Sequence, residues 1–158
     1  MGIVVRAAQD EDAPLIASLT RACWSGKVAA SSSGHHEDEQ RVTDDLRRGG
    51  GFLLIQDEDA VGSVRYTPLD HEPDVWEIAR MGVLPRCRGA NLSQHLLEAV
   101  IHHAQDSGAE ELRLAVRLDQ PRLIDYYAAF GFELAEELEY SHANPSEPAP
   151  MVMRRHLR

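Results

Sequence analysis

One stretch constrains the fold of this chain more than any other: Val83-Leu84-Pro85-Arg86-Cys87-Arg88-Gly89-Ala90-Asn91-Leu92-Ser93-Gln94-His95-Leu96-Leu97. It reads as the end of an apolar strand, a proline stop, a basic loop of small residues and the start of an amphipathic helix. A loop entering a helix presents unpaired backbone N–H groups, and the helix dipole adds positive charge at the same place. With Arg86 and Arg88 beside it, this junction suits a pyrophosphate.

Periodicity places the other elements around that junction. Ile3 to Ala7 is a β-branched run and predicts a strand. Asp10-Glu11-Asp12-Ala13-Pro14 then supplies a cap, acidic first-turn residues and an early proline, which start a helix carrying Leu15, Ile16, Leu19, Ala22 and Cys23 at helical spacing. Ser31-Ser32-Ser33-Gly34 reads as a loop, Glu37 to Arg48 as a polar helix, and Gly49-Gly50-Gly51 as a turn. Phe52-Leu53-Leu54-Ile55 and Ala60 to Tyr66 form a hairpin about Asp57-Glu58-Asp59, and Val75 to Val83 gives the next strand. After the basic loop, Leu92, Leu96, Ala99, Val100 and His103 line one helical face, closed by Ser107-Gly108. Leu112 to Leu118, Phe132 to Tyr140 and Met151 to His156 are predicted strands, with a short helix over Pro121 to Phe130. Three successive strands before the central helix imply a mixed sheet, antiparallel in its first half. No repeat or linker divides the chain, so residues 1–158 are expected to form one domain.

Charge narrows the function classes. A formal net charge of -10 argues against a nucleic-acid partner, which needs a basic surface to displace counterions. No apolar run is long enough for a membrane span, and the first residues lack the pattern of a signal peptide. Two cysteines, Cys23 and Cys87, make no disulfide framework. A cytoplasmic protein is the expectation.

Two motifs in register with this element order resemble the GCN5-related N-acetyltransferase (GNAT) superfamily over essentially the whole length. In that family a strand ending in Val-x-Pro leads into Gln/Arg-x-x-Gly-x-Gly/Ala; here Arg88-Gly89-Ala90-Asn91-Leu92-Ser93 occupies the motif. The second signature, an Asn followed by a helix ending in Tyr and a Gly-Phe pair, is matched by Gln120, Tyr126-Tyr127 and Gly131-Phe132. Met151-Val152-Met153-Arg154 resembles the closing strand. Asn91 and Ser93 stand where the family has small or glycine residues; Asn enters positive φ more readily than other side chains, and Ser is small. Gln120 keeps the amide of the family's Asn on a longer arm. The resemblance implies an α/β fold, a central mixed and mostly antiparallel sheet of about seven strands flanked by four helices. It also implies acetyl-CoA as co-substrate, a small-molecule or peptide amine as acceptor, no metal, and a homodimer among the assemblies such chains form.

The resemblance further implies roles for particular residues. The backbone of Arg88 to Ser93 would hold the pyrophosphate, with Gln120 and Tyr126 along the CoA arm. Strand-end amides of Met81, Gly82 and Val83 would face the thioester and pantetheine, where Gly82 marks a bulge or a close approach. Glu77 would take the proton of the amine, and Tyr127 would hydrogen-bond the departing thiolate. Each has a plainer reading beside it. Glu77 could pair with Arg80 or a cross-strand partner; on a regular strand it shares a face with Ala79, Met81 and Val83, opposite Arg80. Tyr127 could pack under Phe130 and Phe132, and a slip of one residue would exchange it with Tyr126.

Other features carry less. His35-His36-Glu37-Asp38-Glu39 has no metal-ligand spacing, though this stretch could border an acceptor pocket with the loop from Ser141 to Pro150. The glycine triplet follows a helix and precedes a strand, the reverse of a phosphate loop. Ser93 and His95 make no nucleophile pair, and direct transfer, usual in the family, argues against a ping-pong role for Cys87 in the basic loop. A non-catalytic acyl-CoA-binding or regulatory module on the same fold is the competing function.

Overall fold

The computed structural model describes residues 2–24, 37–89, 91–140 and 148–157. Its elements are β1 (Ile3–Ala7), α1 (Ala13–Trp24), α2 (Glu39–Arg48), β2 (Gly50–Gln56), β3 (Asp59–Pro68), β4 (Val75–Val83), α3 (Ser93–Asp106), β5 (Glu111–Val116), α4 (Arg122–Ala128), β6 (Glu133–Leu134) and β7 (Met151–His156). Short 3-10 turns at Asp10–Asp12 and Pro85–Cys87 lead into α1 and away from β4. The loop Ser31 to Gly34, His35, His36 and Ala90 lie outside the described residues.

Seven strands form one sheet in the order β1-β2-β3-β4-β5-β7-β6. The first four are antiparallel neighbours, β4 and β5 run parallel, and β5, β7 and β6 are again antiparallel. The mixed, mostly antiparallel α/β sheet expected from the element order is therefore present. Local chemistry explains its turns. Asp57 and Glu58 take φ of 50° and 75°, so a two-residue turn with both central residues left-handed joins β2 to β3 and matches the strand twist.

Helices cover both faces. On one, Leu96, Leu97, Val100, Ile101 and Ala104 of α3 pack on Leu54, Val64, Leu112, Leu114 and Met153. On the other, Ile16, Ala17 and Leu19 of α1 meet Val42 and Leu46 of α2 over Leu53. The buried stripe of α3 is rotated from the one periodicity suggested. His103 is exposed, and its ring leans on Phe52, Tyr66 and Trp76 with centroids 5.4–5.8 Å away.

Three expectations are corrected. The strand over Phe132 to Tyr140 shrinks to Glu133–Leu134, because the chain turns at Ala135, where the Leu138 N–H donates to the Ala135 carbonyl. The segment that follows, Glu-Glu-Leu-Glu, has no alternation to hold it on the edge of β7. Gly50 and Gly51 belong to β2 rather than to a turn, and a Cβ on Gly51 would sit 2.6 Å from the Val64 carbonyl oxygen. Leu112 to Leu118 stops at Val116, where its pairing with Met151 ends.

Candidate active site

The ladder between β4 and β5 is short. Val75, Trp76 and Glu77 pair with Glu111, Leu112 and Arg113, and there the pairing ends although both strands continue. Beyond Glu77, β4 keeps β3 on one side, while β5 keeps β7. The two strands thus part into a slot, with backbone N–H and C=O groups of each strand on its walls. An extended chain with its own amides could add to such an edge as another strand.

The basic loop lies at the end of β4. Pro85–Cys87 form the 3-10 turn, Gly89 takes φ of 90° and Asn91 takes φ of 55°. Asn91 therefore occupies the left-handed conformation that the family motif assigns to glycine, as the chemistry of its short amide allows. A Cβ on Gly89 would meet nothing within 4 Å, so that position needs glycine for its backbone angle alone. Arg88 reaches back through Nη2 to the Cys23 carbonyl at the C-terminal end of α1, 2.5 Å away.

Ser93, the first residue of α3, holds its Oγ 2.8 Å from the Tyr126 hydroxyl on α4. The two distant motifs thus meet in space. Tyr127 turns elsewhere: its ring packs edge-on to Tyr126 and Phe132, with centroids 5.2 and 6.1 Å away. Burial, and then the neighbouring Tyr126, raise its phenol well above the ordinary tyrosine value, so it keeps its proton throughout the neutral range and can donate a hydrogen bond. Gln120 is buried just before Pro121, which caps α4.

Glu77 is 3% exposed and lies opposite Thr67 of β3. Ala79 lies opposite Arg65, so Glu77 and Ala79 face the same side as the Arg65 side chain. That side is the one under α1 and α2, since Arg65 donates to Asp45 at 3.0 Å, to Thr20 at 3.4 Å and to Glu37. Next comes an irregularity. Between Arg65 and Ser63 the partner strand advances from Ala79 to Gly82, one residue too many, and Arg80 takes φ of 56°. This bulge reverses the alternation beyond it.

The expected face shared by Glu77, Ala79, Met81 and Val83 is corrected accordingly. Gly82 now points at α1, where an added Cβ would lie 3.0 Å from the Trp24 ring and 3.3 Å from Cys23, while Val83 joins the core under α3. The bulge sits before Gly82, and the close approach at Gly82 comes from α1. Arg80 is not opposite to Glu77 either. Its Nε donates to Glu37 at 3.0 Å on the α1/α2 side.

Tyr140 completes this region. Its phenol is pushed up to about 12, first by burial and then by the negative charge of Glu77, against the pull of Arg80. Tyr140, Arg65 and Asp45 were not singled out from the sequence; Arg80 entered there only as a possible partner of Glu77, and Glu37 only within the stretch from His35 to Glu39. Arg65 left a signal, a charge inside the apolar run Ala60 to Tyr66; Tyr140 left none.

Among the described residues no cluster of three or more His, Cys, Asp or Glu could hold a metal, and no helix is long and apolar enough to cross a membrane. Cys23 and Cys87 are both buried, with no disulfide between them.

A model of the acetyltransferase (GNAT) family matches residues 14–132. No curated protein sequence matches the chain. Among solved structures, a GNAT-family acetyltransferase from Staphylococcus aureus Mu50 is 16% identical with a TM-score of 0.78, over 99% of this chain and 100% of that one. The PaiA N-acetyltransferase of Thermoplasma acidophilum, solved in complex with coenzyme A, gives 16% and 0.78 over 99% of both chains. N-acetylglutamate synthase from Neisseria gonorrhoeae, complexed with coenzyme A and N-acetyl-glutamate, gives 19% and 0.74, covering 100% of this chain and 36% of that one. At such identities these likenesses are of fold. The family match spans most of the length, and with it the chain belongs to the GNAT acetyltransferase family.

Proposed function

We propose that the whole chain, residues 1–158, is one cytoplasmic N-acetyltransferase domain that moves the acetyl group of acetyl-CoA directly to a primary amine of a small molecule or peptide. The observation that carries this is the parting of β4 from β5 after Glu77, with the left-handed Gly89 and Asn91 at the end of the same strand. The slot fits a pantetheine arm and the loop fits a pyrophosphate. Two structures of similar fold were solved with coenzyme A.

In this reading the backbone of Arg88 to Ser93, Ala90 included, holds the pyrophosphate, and the Ser93–Tyr126 hydroxyl pair braces the floor of that loop. Gln120 lies along the same arm. Bound acetyl-CoA supplies an activated thioester carbonyl and a thiolate leaving group. The chain supplies the rest. Amides of Met81 to Val83 stabilise negative charge at the carbonyl oxygen. Glu77 receives the proton of the amine, and Tyr127, held protonated by burial, donates a hydrogen bond to sulfur.

Free thiol released from acetyl-CoA, followed against a panel of primary amines, tests the assignment. Glu77→Gln should lower kcat by about 10²–10⁴-fold, and Tyr127→Phe by a smaller factor. Turnover that neither variant changes sinks both catalytic roles. Saturating acetyl-CoA, at about a hundred times its dissociation constant, should add about 2.7 kcal/mol to stability in thermal unfolding. That stabilisation without turnover on any amine would mark a non-catalytic acyl-CoA-binding module instead.

A further inference from the structure

We propose that Arg80, Glu37 and Arg65 form a positioning relay that fixes the β4 bulge, so that Glu37 governs the shape of the acyl-CoA slot without lining it. The inference rests on the reading that the slot between β4 and β5 takes acyl-CoA.

Arg80 has φ of 56° in the middle of a strand, a conformation that side chains other than glycine adopt at a cost. Something must hold it there. Its side chain is only 16% exposed, and its Nε donates to a Glu37 carboxylate that is 1% exposed. The same Glu37 oxygen accepts from Arg65, also 1% exposed, whose other terminal nitrogen is bound to Asp45 at 3.0 Å. The Glu37 carbonyl accepts from Arg21 of α1. The anchor is thus fastened to α1, α2 and β3 at once, and only its last link reaches the bulge.

What the bulge controls follows from strand geometry. With it, Gly82 faces α1 and Val83 enters the core; without it, both would reverse, and the strand-end backbone from Met81 to Val83 would turn with them. A buried and a part-buried arginine sharing one buried carboxylate are a costly way to stabilise a fold, since apolar residues of similar volume often do as well. As a way to pin a strained backbone beside a binding slot the arrangement makes sense.

The Arg80 series tests this. Arg80→Ala removes the tether and disfavours the left-handed backbone, Arg80→Gly permits that backbone without the tether, and Arg80→Lys keeps a charge for Glu37. Acetyl-CoA binding is measured by calorimetry well below each melting transition, alongside amide hydrogen exchange of residues 79–83. Both Arg80→Ala and Arg80→Gly should bind acetyl-CoA roughly ten-fold or more weakly, with faster exchange at the strand end, and Arg80→Lys should recover part of the loss. Glu37→Gln, where it folds, should match Arg80→Ala, and the double variant should be no worse than either.

Binding and exchange within about two-fold of the parent for Arg80→Ala overturn the relay, even if the melting temperature falls. Arg80→Gly that behaves as the parent overturns the role of Glu37 and leaves only backbone preference. A parent that binds no acetyl-CoA overturns the reading of the slot, while the exchange series still judges the relay.

Discussion

Under α3 the sheet buries Leu54, Val64, Leu112 and Met153 against Leu96, Leu97 and Val100, aliphatic on aliphatic. Across the same strands, Val64 gives way to Arg65, and the face toward α1 and α2 holds Arg65, Glu37, Asp45, Thr20, Thr67 and Glu77 around β3 and β4. The first kind of packing is non-directional, gains about 25 cal/mol per Å² of apolar surface buried, and tolerates volume-conserving exchange. The second gains little net energy but fixes angles, because each hydrogen bond has one partner and one direction. The comparison suggests a division of labour: aliphatic packing, present on both faces, holds the domain together, and the charged cluster under α1 and α2 sets where a strand points.

Mutations at matched burial sharpen that contrast. The largest expected effect on stability is at Glu37: Glu37→Gln leaves Arg80 without its carboxylate and Arg65 with that of Asp45 alone, and should cost about 3–5 kcal/mol in urea unfolding. A cost under about 1 kcal/mol would dissolve the distinction between the faces. Leu97→Ala, at a fully buried position on α3, should cost about 2–5 kcal/mol and leave the dissociation constant for acetyl-CoA unchanged at temperatures where the variant is folded. Leu97→Met should cost less than about 1.5 kcal/mol, which calorimetric melting would register as a shift of a few degrees.

The smallest effect lies at the rim, where the Arg6 guanidinium accompanies Asp12 at 2.8 Å. That hydrogen bond is the main cause holding the Asp12 carboxyl below its ordinary value. A carboxyl depressed in the folded state contributes stability that is present above its unfolded pKa and lost as pH falls through the lower folded one. Arg6 is 43% exposed, so solvent screening keeps the contribution at about 1 kcal/mol or less. The cost of Asp12→Asn should therefore be visible at pH 7 and shrink as the pH is taken below about 4. Equal costs at both pH values would remove the pair from the account.

Much of the architecture was legible because it is written locally. The strand from Val75 to Val83, the left-handed Asn91 and the closing Ser107-Gly108 each depend on a few adjacent residues, and the structure has all three. The meeting of Ser93 with Tyr126, 33 residues away, was not legible; the resemblance implied only that both lie along the cofactor. The charged face was not legible. Arg65 finds Asp45 and Glu37 at separations of 20 and 28 residues, and Arg80 finds Glu37 at 43. Apart from Arg65, a charge inside an apolar run, nothing in the local pattern distinguishes these from solvated surface charges. The bulge was legible only in part: Gly82 pointed to a bulge or a close approach, but regular alternation puts Arg80 on the wrong side, and one extra residue undoes it.

That extra residue has an evolutionary consequence. Substitutions can drift along β4 as long as size and polarity are kept, but the number of residues between Ala79 and Gly82 cannot drift. A deletion there would turn the bulge into a regular ladder, with Val83 still in the core but the left-handed Arg80 and its tie to Glu37 lost, while an insertion would shift the basic loop relative to the sheet. Neither can be repaired by one further point change. Lineages descended from this chain should therefore vary freely in composition along this strand and hardly at all in length.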